Sequence, residues 1–556
     1  MKTNFFKSKT RIFILITTVI LTAFFVTSFK DDDFKVVKNL DIYYTLFREL
    51  NMFYVDETDP EKLVHKSIDG MLESLDPYTT FVPESEMDDL HFMTTGEYGG
   101  IGSLIRQKND NIIIAEPYEN FPAADEGLKP GDILLKIDGT PVKNKSISQV
   151  SDMLKGTPNT KVHLLVRRPF EEKEYKVTLT RKKITIDNVP YYGMLGENTG
   201  YVMLSHFTSN AGKEIKKAYQ ALQSAHDVKS LVIDLRGNPG GLLIEAVNVV
   251  NLFIPADKLV VSTKGRVKQW DNDYYTSGNA MDTTVQLAVL VNRGSASASE
   301  IVAGAIQDYD RGIVVGQRTF GKGLVQTTRP LSYNNQLKVT TAKYYIPSGR
   351  CIQALDYSNR NEDGSVGKIP DSLVSEFKTA GGRMVYDGGG ILPDLEVSPE
   401  KMSNLAIHLY MENLIFDYAN YFAVKNESIP PLSQFKITDD IYDDFIKFIS
   451  DKSFDYHTRS EEELEALIKT ARKEKYYSLA KEEFEKLKQK LAHDIYKDLE
   501  IFREEVQQLL LEEIASRYYF QKGRIEASLL MDLQLDTAIA ILKDEERTKK
   551  ILHPHD

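Results

Sequence analysis

Segments with strand character alternate with segments of helical periodicity between residues 184 and 400. Such alternation favours strands connected by helices, and therefore an α/β layer architecture. Strands are predicted at 200–205, 231–235, 287–291, 313–315 and 337–345, and helices at 212–225, 242–253 and 299–309.

Charge and cysteine content exclude several function classes. The net charge of -12 over 556 residues argues against a general nucleic-acid binder, because nothing would offset phosphate repulsion. Cys351 is the single cysteine, so neither an intrachain disulfide nor a cysteine-rich metal site can form. His553 and His555 are predicted to lie in a solvated tail. We expect no metal and no cofactor.

The first 30 residues have the pattern of a targeting segment. Lys2, Lys7, Lys9 and Arg11 precede an apolar run at 12–29. A basic stretch followed by such a run predicts export, to the periplasm or cell envelope. The run is near the minimum length of a membrane span and lacks a clear cleavage site, so a signal peptide and an uncleaved anchor remain alternatives.

Two further regions precede the predicted α/β core. Residues 37–90 read as short helices, with an apolar face that ends at Asp76 and Pro77. Residues 91–183 read mostly as strands at 103–106, 112–114, 133–137, 162–167 and 175–179, with a helix at 147–154. The apolar face of the first region comprises Leu63, Ile68, Met71, Leu72 and Leu75.

Residues 401–556 form a predicted helical extension. Apolar residues recur there every three or four positions, which predicts a long amphipathic helix. Such a helix would pack on the core or on a second subunit, giving a homodimer, or would dock an adaptor protein; a membrane-surface helix is the alternative. The recurring residues are Phe484, Leu487, Leu491, Ile495, Leu499, Phe502, Val506 and Leu509.

A serine cluster follows the predicted strand 287–291. Ser297 lies where that strand gives way to a helix beginning near Ser299. Free N–H groups and the positive end of the dipole at a helix N-terminus can stabilise an oxyanion. A plain helix cap is the alternative interpretation of this serine.

Two glycine-rich turns accompany the serine cluster. Lys322 lies between Gly321 and Gly323, after the predicted strand 313–315. Burial would lower the pKa of this lysine and let a neutral amine accept a proton, whereas a phosphate loop is disfavoured because no Walker pattern is present. The glycines of the turn at 234–241 would aim backbone amides at a ligand; an ordinary tight turn is the alternative.

Together these segments resemble the carboxyl-terminal processing peptidases, also called tail-specific proteases. The family's Ser-Ala-Ser-Ala-Ser-Glu-Ile stretch matches 295–301, its Phe-Gly-Lys-Gly matches 320–323, and its Asp-Leu-Arg-x-Asn-x-Gly-Gly turn matches 234–241. Further motifs match at 71–77, 344–350 and 390–394, so the resemblance covers roughly 37–400 in matching order. Cys351 replaces a common serine, and the helical extension lies outside the family core.

The resemblance implies a serine endopeptidase with a Ser/Lys dyad on a Clp-protease/crotonase-like core at 184–400. It assigns Ser297 as nucleophile, Lys322 as general base and Gln326 as the residue that orients the lysine. In the mechanism that we expect, the oxyanion is held by the backbone N–H of Ala298 and one from Gly240 or Gly241.

The resemblance also implies a PDZ domain at about 91–175. A PDZ domain binds a terminal carboxylate through backbone N–H groups of a glycine-rich loop, and the peptide adds as a strand to the sheet edge. The loop would be Gly99 with Gly100, Ile101 and Gly102, and the accepting strand 103–106. Val150 and Leu154 would line the pocket for an apolar last side chain; core packing is the alternative. The implied partners are proteins or peptides with free C-termini.

Competing hypotheses remain. A histidine triad would use His206 or His226, although neither lies in a Gly-x-Ser-x-Gly context. Arg167 and Arg168 could bridge the PDZ domain to the protease core when substrate binds, or form a solvated pair. Other classes are a PDZ scaffold with an inactive protease fold and a crotonase-like acyl-CoA enzyme.

Overall fold

A computed structural model describes residues 31–553 except 172, 362, 400, 453, 457 and 493. The chain divides into two compact units, Met1–Phe81 and Val82–Asp556. The predicted targeting segment, residues 1–30, and His555 lie outside the described residues. Within the described ranges, no helix is both long and apolar enough to cross a membrane.

The described residues of the first unit form two helices, α1 (Asp31–Phe53) and α2 (Pro60–Glu73), and β1 (Thr80–Val82) spans the end of the unit. Asp59 caps α2 by accepting a hydrogen bond from the Lys62 N–H at 3.1 Å. Only short helices were expected, but α1 runs for 23 residues. The predicted apolar face is largely wrong, because Leu72 is its one buried member and Met71 is 61% exposed.

The region predicted as a PDZ domain consists of antiparallel strands with short helices between them. Its main sheet has the order β3-β4-β5-β7-β8 with β6 on β5, and β2 pairs with β9. The predicted strands and the predicted helix are confirmed, and the sheet continues beyond residue 175. The elements are α3 (Met87–Thr95), β2 (Glu97–Gly100), β3 (Ser103–Lys108), β4 (Asn111–Pro117), α4 (Pro122–Asp125), β5 (Ile133–Ile137), β6 (Thr140–Pro141), α5 (Ile147–Leu154), β7 (Lys161–Arg168), β8 (Lys173–Thr180) and β9 (Lys182–Thr185).

The α/β core is built on a second sheet of order β10-β11-β12-β15-β16-β23. All pairs in it are parallel except β10 with β11. The α/β prediction is therefore confirmed. The core elements are β10 (Tyr191–Leu195), β11 (Thr199–Met203), α6 (Ala211–Ala225), β12 (Ser230–Asp234), α7 (Leu243–Val250), β13 (Leu259–Gly265), β14 (Asn272–Tyr275), β15 (Gln286–Val291), α8 (Ala298–Asp308), β16 (Ile313–Gly316), β17 (Leu324–Pro330), β18 (Gln336–Tyr345), β19 (Leu355–Arg360), β20 (Val366–Lys368), β21 (Glu376–Lys378), β22 (Met384–Tyr386) and β23 (Leu395–Glu396).

The parallel strands read as continuous apolar runs because both faces of the sheet are covered. On one face, helices α6, α7 and α8 share a core with β12 and β15. Ile215, Tyr219 and Leu222, at helical spacing on α6, are buried in it. A further sheet contains β13, β14, β17 and β18, in which β17 and β18 form a hairpin. This hairpin begins two residues after Lys322.

The C-terminal region consists of separate helices rather than one long amphipathic helix, so that prediction is wrong. The backbone leaves the helical conformation at Ala492, where ψ is 119°. Asp494 then caps a new helix by accepting from the N–H groups of Tyr496 and Lys497. The helices are α9 (Asn404–Met411), α10 (Leu414–Lys425), α11 (Asp439–Ser450), α12 (Arg459–Lys473), α13 (Lys481–Leu491), α14 (Ile495–Ile501), α15 (Arg503–Ser528), α16 (Leu533–Lys543) and α17 (Glu545–Leu552).

Helix α16 covers the second face of the core sheet. Leu535, Ala538 and Ile541 pack there against Val232 and Leu290. Helices α9 to α11 and α14 to α15 have their own hydrophobic core. The C-terminal region is therefore an integral layer of the α/β core as well as an extension of it.

The PDZ-like sheet contacts the C-terminal helices through charged groups. Glu116 pairs with Arg524 at 2.8 Å, and Glu119 pairs with Lys522 at 3.3 Å. The Arg106 guanidinium lies 4.1 Å from the centroid of the Phe416 ring. This contact holds the sheet against α10 and α15 within the second unit.

Candidate active site

Ser297 lies at the junction of β15 and α8, on the wall of a cleft of about 570 Å³. Its backbone has φ 54° and ψ -112°, in a region that non-glycine residues rarely occupy. Such strain is characteristic of functional sites, where the surrounding structure holds it in place. The turn presents the side chain of Ser297 to the cleft.

The other two serines of the cluster have structural roles. Ser295 Oγ donates to the Leu235 carbonyl at 2.8 Å, and Ser299 Oγ donates to the Asn238 carbonyl at 2.9 Å. Both residues are fully buried. Of the three serines, Ser297 is the one that lines the cleft.

Backbone N–H groups beside Ser297 are positioned as an oxyanion hole. Within the described part of the chain, neither Ala298 nor Gly241 donates its N–H to another group. The Gly240 N–H, in contrast, donates to Asn238 Oδ1 at 2.9 Å. Of the two glycines considered, the geometry therefore favours Gly241 and disfavours Gly240.

Gly240 has a steric role instead. Its φ of +96° suits glycine, and a Cβ there would lie 2.9 Å from both the Ala298 nitrogen and the Ser297 Cβ. The turn at 234–241 thus packs directly against the serine segment, and a side chain at position 240 would push the two apart.

Lys322 and Gln326 line the same cleft as Ser297. The pairing of β17 with β18 shifts register between Val325 and Gln326, with the extra residue of the β-bulge on β18, and both Val325 and Gln326 line the cleft. A bulge bends the sheet locally and changes the directions of nearby side chains. Gln326 Nε2 donates to Thr340 Oγ1 at 3.1 Å, which fixes the orientation of the amide. The structure thus brings together the three residues that the sequence assigned to the chemistry.

Glu300 joins the serine segment to the lysine segment. Its buried carboxylate accepts from the backbone N–H of Ser297 at 2.8 Å and from that of Lys322 at 2.9 Å. It also accepts from the Gly321 N–H and the Thr319 hydroxyl, at 2.7 Å and 2.6 Å. Burial raises the pKa of Glu300 to about 7, although these hydrogen bonds oppose the shift.

Tyr344 is a second link between the two segments. Its hydroxyl donates to the Lys322 carbonyl and lies 3.2 Å from the Ser297 carbonyl oxygen. Sequence reasoning assigned no role to Glu300 or Tyr344. Both lie in motifs that matched the family, and for Glu300 the available signal was an acid three residues after a serine at a predicted helix start.

The two candidate histidines differ in position. His206 lines the cleft, and its Nδ1 lies 3.1 Å from Ser205 Oγ. Burial lowers the pKa of His206. No hydrogen bond joins His206 to Ser297 or to a carboxylate among the described residues. His226 is exposed at the end of α6 and does not line the cleft.

A second cleft, of about 230 Å³, lies beside β3 and α5 of the PDZ-like sheet. Gly100, Ile101 and Leu154 line it, as the sequence predicted for a peptide groove. The N–H groups of Ile101 and Gly102 donate to no other group in the described part of the chain. Val150 is fully buried in the core and does not line the groove, so it has the alternative, packing role.

Helix α3 lies between the two clefts. Phe92 of α3 and Ile186 line both the catalytic cleft and the peptide groove.

Arg167 and Arg168 line neither cleft. Arg168 forms an ion pair at 2.9 Å with the buried Asp132 of its own sheet, while Arg167 is exposed. Arg168 is therefore not a solvated group, and a bridge to the protease core when substrate binds stays a prediction.

Family models match three parts of the chain. Residues 198–358 match the model of peptidase family S41, and residues 113–168 match that of a PDZ domain. Residues 405–542 match the model described as the C-terminal helical domain of a probable PDZ-protease. Within the described residues, no group of His, Cys, Asp or Glu is arranged to hold a metal ion.

Similar solved structures include a photosystem II D1 C-terminal processing protease, at 28% identity and a TM-score of 0.34. That match covers 64% of this chain and 92% of the other. A putative S41 protease from Bacteroides fragilis matches at 16% identity and a TM-score of 0.36, covering 53% and 80% of the two chains.

Named relatives match over more than half of the chain. A probable CtpA-like serine protease of Staphylococcus aureus is 37% identical over 320 residues, which are 56% of this chain and 62% of that protein, less than two thirds of its length. The carboxy-terminal-processing protease of Bartonella bacilliformis is 36% identical over 344 residues, 61% of this chain and 76% of that protein. The chain therefore belongs to peptidase family S41, as a carboxy-terminal-processing serine protease with a PDZ domain and a C-terminal helical domain.

Proposed function

We propose that this chain is an exported endopeptidase that cleaves peptide bonds with a Ser297/Lys322 dyad and selects substrates by their C-terminal tails. The proposed dyad is supported by one observation. Ser297, Lys322 and Gln326 line one cleft, and Glu300 binds the backbone of both catalytic segments. A buried link of this kind keeps the two reacting side chains at a fixed separation.

Catalysis proceeds through an acyl-enzyme. The neutral amine of Lys322 takes the proton of the Ser297 hydroxyl as Oγ attacks the peptide carbonyl. The N–H groups of Ala298 and Gly241 hold the oxyanion, and the leaving amine takes the proton from Lys322. Water then attacks the acyl-enzyme, with Lys322 again as base, and Gln326 keeps the lysine amine directed at the serine.

The PDZ domain recognises the end of the substrate. The N–H groups of Ile101 and Gly102 bind the terminal carboxylate, and the peptide adds as a strand beside β3. The apolar wall that Leu154 contributes accepts the last side chain. Because α3 borders both clefts, a peptide held in the groove also contacts the helix that lines the catalytic cleft.

Single substitutions test the dyad. Ser297→Ala and Lys322→Ala should each lower kcat by about three or more orders of magnitude on a fluorogenic peptide, while peptide affinity is retained. Lys343→Ala, on the exposed side of β18, is the matched control. Near-normal turnover by Lys322→Ala would overturn the assignment. Labelling of Ser297 by a serine-directed acylating probe separates this enzyme from the alternative, a PDZ scaffold with an inactive fold.

Paired peptides test the C-terminal selection. A peptide with a free C-terminus should have a lower KM than its amidated twin, and Leu154→Lys should abolish the difference. Equal KM values for the twins in the unaltered enzyme would exclude recognition of the terminal carboxylate, without affecting the dyad.

Export is tested with the first 35 residues fused to a reporter that is active only outside the cytoplasm. Activity of that fusion, and none from a fusion beginning at Asp31, is the expected result. The homodimer and the adaptor predicted for the helical tail, and the acyl-CoA alternative, stay predictions. The mass of the purified chain in solution and a thioester turnover assay test them.

A further inference from the structure

A second lysine lies in the catalytic cleft. Lys338 is on β18, opposite Thr328 of β17, and both residues line the cleft together with Ser297 and Lys322. The mechanism proposed above gives Lys338 no role. A lysine in this position needs an explanation, because ammonium groups are normally solvated or paired.

Among the described residues, Lys338 has no anionic partner, and its side chain forms no ion pair or hydrogen bond with them. No aspartate or glutamate is among the described residues that line the cleft.

Lys338 is also partly buried, and this strengthens the argument that its ammonium group binds an anion. Loss of hydration lowers the pKa of Lys338. An ammonium group that has already lost part of its water gains more from a carboxylate than a fully solvated one does. The cleft therefore contains a preorganised binding position for an anion at Lys338.

We propose that Lys338 forms a subsite for a carboxylate of the substrate peptide, and so gives the protease a preference for an acidic group near the scissile bond. The inference rests on the proposed function, since it names the substrate class of the same cleft. The carboxylate belongs either to a Glu or Asp side chain or to the C-terminus of a short peptide, and the two sources share the same chemistry.

The strand register limits where the acidic group lies. Gln326 pairs with Thr340, and Thr328 pairs with Lys338. Along β17, the position opposite Lys338 therefore lies two residues, roughly 7 Å, beyond Gln326. Six residues separate Lys322 from Thr328, which is at most about 20 Å of chain. An extended substrate covers this span with about six residues, so the acidic position falls within about six residues of the scissile bond.

A glutamate scan tests the proposal. A neutral peptide with one cleavage site is prepared with a single Glu at each position within six residues of that site, alongside the matching Gln peptides. The kcat/KM of each pair is measured, and cleavage sites are confirmed by mass spectrometry. At one or two neighbouring positions, Glu should exceed Gln by roughly 10- to 100-fold, as for a hydrogen-bonded charge pair.

Variants of Lys338 identify the cause of the preference. Lys338→Met should remove it, Lys338→Glu should invert it, and Lys338→Arg should retain it. All three should cleave the Gln peptides at rates near that of the unaltered enzyme. Lys343→Met, an exposed lysine on the same strand, is the matched control and should keep the full preference.

Amidated twins separate the two carboxylate sources. A Glu-over-Gln preference that survives amidation assigns the subsite to an acidic side chain. A higher kcat/KM for the free Gln peptide than for its amidated twin, lost in Lys338→Met, assigns the subsite to the C-terminal carboxylate. Equal cleavage of Glu and Gln peptides, together with the same effect of amidation in the unaltered enzyme and in Lys338→Met, would overturn the subsite and leave the proposed function standing. Cleavage of no peptide would overturn both.

Discussion

Arg236 and Asp532 form an ion pair at 2.6 Å between the glycine-rich turn and the C-terminal helices. Arg236 also donates to Gln534 at 3.1 Å and to Asp234 on the strand that precedes the turn. Asp532 in turn caps α16 by accepting from the Leu535 N–H at 3.0 Å. The glycine-rich turn that leads to Gly241 is thus held in place by residues of the C-terminal helical region, which lies outside the family core.

We expect Asp532→Ala to lower kcat by roughly ten- to hundredfold, because a small displacement of the turn misplaces an oxyanion donor. KM should change little, since neither Asp532 nor Arg236 lines the cleft or the groove. Arg236 keeps Asp234 as a partner, so the expected cost of about 2–4 kcal/mol of unfolding free energy comes from the lost charge-assisted hydrogen bond and the lost cap of α16. Steady-state kinetics and denaturant unfolding measure the two effects.

Two further variants separate positioning from stability. Asp532→Glu should restore most of kcat, because it retains the carboxylate. Asp536→Ala removes an exposed acid from the first turn of the same helix and should leave kcat unchanged. A loss of folded protein in Asp532→Ala, with normal kcat in the remaining fraction, would contradict a positioning role.

Glu300 should make stability fall as pH rises. Its pKa in the folded chain is about 7 against 4.5 as its ordinary value, so between these pH values the folded state binds one proton more than the unfolded state. The contribution of Glu300 to the unfolding free energy therefore decreases by about 3 kcal/mol from pH 4.5 to pH 7. Glu300→Gln should lack this decrease, as denaturant unfolding at the two pH values will show.

Activity of the same variant tests the link between the catalytic segments. The NH2 group of glutamine must face one of the two sets of donors, either Ser297 and Lys322 or Thr319 and Gly321, so one side of the link is lost and kcat should fall by roughly tenfold or more at any pH. Glu512→Gln removes a half-buried acid in α15 and should leave kcat unchanged. Wild-type kcat in Glu300→Gln would show that the carboxylate serves folding alone.

Gly240 and Gly237 provide a matched pair in one turn. Ala at 240 places a Cβ 2.7 Å from the Ala296 carbonyl oxygen, whereas Ala at 237 meets no atom within 4 Å. Both positions have positive φ, so both variants carry the backbone strain, about 1 kcal/mol. We expect kcat to fall about a hundredfold or more in Gly240→Ala alone, and similar kcat values in the two variants would contradict the contact.

The elements and site residues that depend on local sequence patterns could be predicted from the sequence. Helix 147–154 and strand 133–137 have the predicted bounds, because periodicity and turn residues mark them directly. Ser297 and Lys322 were assigned from short motifs that also set their place at a helix start and before a strand. These features need no knowledge of distant contacts.

What the sequence did not reveal depends on contacts between remote segments. Arg236 and Asp532 are 296 residues apart, so no local pattern indicates that α16 covers the core sheet. The choice between Gly240 and Gly241 depends on one side chain, Asn238, accepting from the former. Lys338 reads as an ordinary polar residue of a hairpin until the register places it in the cleft.

His206 gives the remaining prediction, since it shares the cleft with Ser297 but lacks the contacts of a general base. Its Nδ1 is turned to Ser205 Oγ rather than to a carboxylate that would fix its tautomer. We expect His206→Gln to retain kcat within about fivefold, against the thousandfold loss expected for a catalytic base. The kcat/KM profile between pH 5 and 9 should keep its shape, because Lys322 supplies the base. A loss as large as that of Lys322→Ala would transfer the role of base to the histidine.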